Sequence, residues 1–141
     1  MRVRLMTGIA AVALLALTVI VPASAQVPTY NVSWIAGPPG QEATYTGTAT
    51  FVVDAKGGVT GKMVLVDPVG VNATIAGTVA NDTWTFEFGY EIPDQMCSGM
   101  LAGTAKVATG RKTIQGTAVI AGACTPEPFN STFTFTLQEK K

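Results

Sequence analysis

Histidine is absent from the 141 residues, and cysteine occurs only twice. Without histidine no Ser-His-Asp or Cys-His nucleophile can be assembled, and with so few ligating side chains a zinc site lacks its ligand set. Charge is scarce too: 13% of the residues are charged, with nine Lys and Arg against nine Asp and Glu. That balance leaves no basic stripe for phosphates, so nucleic acid is excluded as an expected partner. The glycines sit in turns and extended segments, and none opens a phosphate-cradling strand-to-helix loop. No metal and no cofactor is expected.

Long apolar runs are limited to one, near the start. Gly8 to Val21 contains only Gly8 and Thr18 outside the apolar set, and it follows a positive start at Arg2 and Arg4. Pro22 breaks the run, and Ala23-Ser24-Ala25 supplies a small-x-small site before Gln26. This is the order of a cleaved secretory signal peptide over residues 1–25. The competing reading, an uncleaved anchor, meets a run shorter than the roughly 20 residues that span a bilayer. No stable membrane span is expected after cleavage. The mature domain, residues 26–141, keeps seven bases against nine acids. Its expected location is secreted, extracellular or periplasmic. In such an oxidising compartment Cys97 and Cys124 are expected to form a disulfide, closing a loop worth about 3–4 kcal/mol.

What is present is alternation. Helical periodicity is missing throughout the mature chain, and the apolar period is two. Eight strands follow: about 30–36, 44–54, 59–66, 71–80, 83–91, 99–108, 113–122 and 129–137. The fifth carries Trp84, Phe86, Phe88 and Tyr90 on one face, the largest apolar stripe in the chain. The eighth alternates Phe129, Ser131, Phe133, Phe135 and Leu137 with Asn130, Thr132, Thr134 and Thr136. A mid-strand glycine falls on five inner faces, at Gly47, Gly61, Gly77, Gly103 and Gly116. Glycine weakens a strand unless the space is needed, and a closing sheet needs such kinks. Short links favour consecutive antiparallel pairing. The pattern predicts an all-β fold, an eight-stranded antiparallel up-and-down β-barrel, with a two-sheet β-sandwich of the same strands as the alternative. In general shape it resembles lipocalin-, avidin- and dirigent-type barrels, and no motif of theirs carries over. An outer-membrane barrel is disfavoured, since five glycines would then sit on the lipid-facing side.

In an up-and-down order, alternate connections share an end. One end receives Ala55–Gly58, Asn81-Asp82 and Thr109–Lys112. The other receives Gly37–Ala43, Asp67–Gly70, Ile92–Ser98 and Ala123–Pro128, with six prolines and both cysteines. Glu42, Asp67, Glu91, Asp94 and Glu127 belong to this second end, which has no base in its loops. It is the candidate binding mouth, because function concentrates on scaffolded loops. Trp34, Trp84, Phe86, Phe88 and Tyr90 are candidate cavity-lining residues, although such a stripe also reads as core. The rows of threonine at 44–50 and 132–136 are similar in composition to the arrays of ice-binding proteins, and threonine is also the ordinary outward strand residue. Asn31, Asn72, Asn81 and Asn130 each begin an Asn-x-Ser/Thr sequon and are candidate glycosylation sites in a host that glycosylates.

Three functions follow from this pattern. The first is a small binding module that takes an unknown small molecule or protein at the Pro-rich, disulfide-tied loop end. The second is a structural or surface-interaction protein with a filled core. The third is an enzyme using loop carboxylates, such as Asp94 with Glu91 or Glu127; catalytic residues are otherwise none. On export, the mature protein is expected to begin at Gln26. Intact mass of the exported product checks this, and a mass that includes residues 1–25 would refute it.

Overall fold

The computed structural model describes residues 27–139; the expected signal peptide, residues 1–25, lies outside them. Eight strands form one closed sheet: β1 (Thr29–Ala36), β2 (Ala43–Val53), β3 (Gly58–Asp67), β4 (Val71–Ala80), β5 (Thr83–Ile92), β6 (Cys97–Val107), β7 (Thr113–Gly122) and β8 (Phe129–Leu137). Every sequence neighbour pairs antiparallel, and β1 closes on β8 through Tyr30–Leu137, Val32–Phe135 and Trp34–Phe133. Both edges are thereby removed. The up-and-down barrel stands, and the sandwich of the same strands does not. Among the described residues no helix is long and apolar enough to cross a membrane.

Alternation places each side chain. On β5, Trp84, Phe86, Phe88 and Tyr90 are buried, while Thr85, Glu87 and Glu91 are exposed. The outer wall is built largely of threonine, whose branched side chain suits a pleated surface. Thr132, Thr117, Thr104, Thr85 and Thr78 stand side by side across five neighbouring strands. They follow the curve of a closed wall rather than a flat array. Asn31, Asn72, Asn81 and Asn130 are all exposed.

Inside, large and small residues alternate around the barrel. One row of paired positions, climbing with the strand stagger, reads Tyr30, Ala49, Met63, Ala73, Tyr90, Gly99. In another, Phe86 lies between Gly77 and Gly103 on its two flanking strands. Barrel walls curve inward on themselves, so facing side chains compete for the same volume. A Cβ added at Gly103 would meet the Thr117 carbonyl oxygen and the Ala118 Cα. A Cβ at Gly77 would meet the Thr85 carbonyl oxygen and, at 2.7 Å, the indole nitrogen of Trp84.

The structure differs from the expected boundaries mainly at the fifth connection. Cys97 and Ser98 pair with Ile92 and Glu91, so β6 starts two residues before the expected Gly99. A single 3-10 turn, Pro93–Gln95, makes the link. Met96 follows with φ of 48°, donating its N–H to the Pro93 carbonyl at 3.1 Å, which reverses the chain tightly enough for pairing to resume at once. Periodicity missed this because neither Cys97 nor Ser98 carries a bulky apolar side chain to mark the parity.

Valine at Gly103 therefore forces backbone apart, and Gly103→Val is expected to cost about 2 kcal/mol or more. Thr46→Lys on the exposed wall is expected to stay within about 0.5 kcal/mol of wild type. Denaturant midpoints measure both; equal midpoints would contradict the packing described.

Candidate functional site

The barrel interior is divided by height. At the end of the short turns, the aromatic rings of Tyr30, Phe51, Trp84, Phe86, Phe88, Phe133 and Phe135 pack together. Tyr30 stacks on Phe51 at 4.6 Å, Phe86 lies 4.6 Å from Phe88, and Trp84 contacts Phe51, Phe86 and Phe88 between 5.2 and 5.7 Å. Phe88 and Phe135 are 0% exposed, so this half holds no free space around them. Ring pairs of this kind contribute about 0.5–1.5 kcal/mol each beyond their buried area.

The other half is a cup of about 540 Å³. Trp34, Met63, Leu65, Val71, Tyr90, Leu101 and Ile120 line its walls. Pro38, Pro39, Pro126 and Pro128 form part of its rim, with Gln41, Gln95, Thr125 and Glu127 as the polar groups there. The volume is that of an ordinary small-molecule pocket, and the few polar groups gathered at the rim of an apolar interior are the usual composition of one.

Trp34 lies deep in the cup, and its position is fixed from two sides. Its ring stacks on Phe133 at 4.5 Å with 19° between the planes. Its indole N–H donates to Ser131 Oγ at 2.9 Å, and the Ser131 hydroxyl donates to the Ala118 carbonyl at 3.0 Å. Ser131 is the buried polar residue on a strand face otherwise occupied by Phe129, Phe133, Phe135 and Leu137. A small hydroxyl in that row is the sequence signal that an indole needed an acceptor. The second tryptophan differs: among the described residues Trp84 Nε1 has no hydrogen-bond partner. A buried unpaired donor costs roughly 1–3 kcal/mol, which the surrounding ring contacts offset.

The rim is held by the Cys97–Cys124 disulfide, with an S–S distance of 2.04 Å and Cα atoms 5.2 Å apart. It ties the start of β6 to the loop after β7, and Cys124 itself lines the cup. The Ala123 N–H donates to the Ser98 carbonyl at 2.9 Å beside it. The Pro126–Pro128 segment, which closes one side of the mouth, is therefore anchored to the neighbouring hairpin. A disulfide of this kind fits an oxidising compartment.

Of the aromatic residues expected to line a cavity, Trp34 and Tyr90 do so; Trp84, Phe86 and Phe88 lie packed beneath it. Of the expected mouth acids, Glu127 lines the cup. Glu42, Asp67, Glu91 and Asp94 are exposed at the same end but do not line it. The lining residues that sequence reasoning passed over, Tyr45, Leu65, Val71, Leu101 and Ile120, sit on the predicted inner faces, where parity alone does not separate cavity wall from core. With one carboxylate in the lining, the cup lacks the second acid that glycoside hydrolysis employs. No group of three or more His, Cys, Asp or Glu suited to a metal ion occurs among the described residues.

The chain is similar to a redesigned β-barrel of known structure, with 16% identity and a TM-score of 0.54 over 79% of this chain and 90% of that one. At that identity the likeness shows the fold alone. No protein-family model matches the chain, and no curated protein does at significance.

Burial pushes the Tyr90 phenol above its ordinary value of 10.0, and burial does the same to Tyr30 against a smaller opposing pull from Arg111. Tyr90 is thus a neutral hydroxyl in the cup, donating weakly to the Ala121 carbonyl at 3.5 Å. Because the folded values are raised, the associated stability is full below the unfolded value of 10.0 and is lost as pH rises through the folded values. Melting temperature is expected to fall above about pH 10, and Tyr90→Phe is expected to flatten that fall. An unchanged alkaline slope in the variant would refute the assignment.

Proposed function

We propose that this chain is an exported binding module that takes a small apolar ligand into the loop-end cup. One observation carries the reading: a cup at the loop end of the barrel that is apolar-walled, polar-rimmed and braced by a disulfide. An unfilled interior forfeits dispersion contacts along its lining, a cost that an occupant removes. The rigid surroundings of Trp34 supply a preorganised contact face, which lowers the ordering cost of binding. The closed wall and tied rim limit how far the site deforms, so selection would rest on shape and on the rim polar groups.

The reading with a filled core is favoured by the aromatic packing, which reaches from the short-turn end up to Trp34, and by the burial of the lower cup walls; the cup above Trp34 favours the binding reading. The carboxylate-enzyme reading has no observation in its favour beyond the acids themselves.

The test is a neutral apolar fluorophore, N-phenyl-1-naphthylamine, titrated into the mature domain. Its emission is expected to rise, and tryptophan emission to change, as it seats against Trp34. Val71→Trp, which fills the cup wall, is expected to weaken binding about tenfold or more, a loss of about 1.4 kcal/mol or more. Leu101→Phe is a milder filling variant, expected to weaken it less. Both are to be judged only where the melting transition is retained. No saturable binding to the wild-type domain, or equal binding to both filled variants, would overturn the proposal.

A further inference from the structure

The walls and rim of the cup contain no Lys or Arg. The charges around it are equally one-sided. Glu127 lines the opening, and Glu42, Asp67, Glu91 and Asp94 are exposed on the loops and strand ends of the same end. Lys56, Arg111 and Lys112 belong to the short-turn connections at the opposite end, and Lys106 and Lys62 stand on the outer wall. The ion pair found among the described residues, Lys106–Asp82 at 3.5 Å, also lies toward the opposite end. Among the described residues no mouth acid forms an ion pair; Lys62 shares an outer-wall groove with Glu91, and the closed end mixes its bases with Asp54 and Asp82, so the excess of acid is at the cup end.

We infer that the cup selects amphiphiles with a cationic head: an apolar body seated against Trp34, Leu65, Leu101 and Ile120, and a protonated amine held at the rim beside Glu127. The inference rests on the cup being an apolar binding site. Three considerations fix the sign and the orientation. A carboxylate head entering this cup would lose water and meet no base, only further acids. A neutral head would gain nothing from the field. A cationic head would be drawn in by the negative end and would stay at the rim, because burying it among the inner walls would cost more than the contact with Glu127 returns.

Three ligands sharing one eight-carbon chain separate charge from apolar burial: octylammonium, octanol and octanoate, each displacing N-phenyl-1-naphthylamine near neutral pH. Octylammonium is expected to bind about three- to fivefold tighter than octanol, the range of a rim ion pair. Octanoate is expected to bind weaker than octanol. The gap is expected to close at about 1 M salt, where the Debye length shrinks to about 3 Å. Glu127→Gln is expected to bring the octylammonium-to-octanol ratio to about one; the salt series on the wild-type domain gives the same information without relying on a variant. Equal binding of all three, or a preference for octanoate, would overturn the charge selection while leaving the apolar cup in place. A salt-sensitive preference that survives Glu127→Gln would remove Glu127 as the anchor. Failure of all three ligands and of the fluorophore would overturn the cup itself.

Discussion

Interior volume is the constraint on which everything else in this barrel depends. An eight-stranded barrel has room for side chains or for a small ligand, and not for both at the same height. The glycines settle how that room is divided. Phe86 occupies the interior because Gly77 and Gly103, on either side of it, contribute nothing there. Each glycine gives up strand propensity, and the close approach of neighbouring backbone that it permits lets the rings be buried, a fully buried phenylalanine being worth about 1.5–3 kcal/mol. The chain closes where backbone and ring can share one layer.

From that constraint comes the contrast between the two halves. At the short-turn end the rings of β1, β2, β5 and β8 meet one another and leave no gap. Nearer the mouth leucine, isoleucine, valine and methionine take most inner positions, with Trp34, Tyr45 and Tyr90 among them. Leu65, Val71, Leu101 and Ile120 line the wall there and continue the buried core. The aromatic half thus acts as a rigid base, and the disulfide and prolines stiffen the opposite rim. Between two stiff ends, the open volume keeps its shape.

Strand order and inner faces were legible in the sequence, because a period of two assigns every residue to a side, and the pairing of Cys97 with Cys124 because the chain has two cysteines and an export signal pattern. Height was not legible. Parity says that Trp34, Trp84, Phe86, Phe88 and Tyr90 all point inward, yet Trp34 and Tyr90 face the cup while the other three lie below it. Level in a barrel is set by strand tilt and by the stagger between neighbours, which are properties of the closed sheet rather than of any one strand. The bulge between Thr46 and Gly47, which shifts β2 against β3, adds to that stagger. For the same reason the acids could be assigned to an end, but only the structure separates Glu127 at the opening from the four outside it.

Closure of β1 on β8 brings the two ends of the described chain together. Tyr30 pairs with Leu137, and the Gln138 N–H donates to the Thr29 carbonyl at 2.9 Å. Both ends leave from the aromatic base, across the barrel from the disulfide. A tag, a tether or an additional segment joined at either terminus would attach behind the base and leave the entrance unobstructed. On a solid support or a carrier joined there, the molecule would stand with its opening toward the surrounding solution, so immobilisation through a terminus leaves the approach to the cup free.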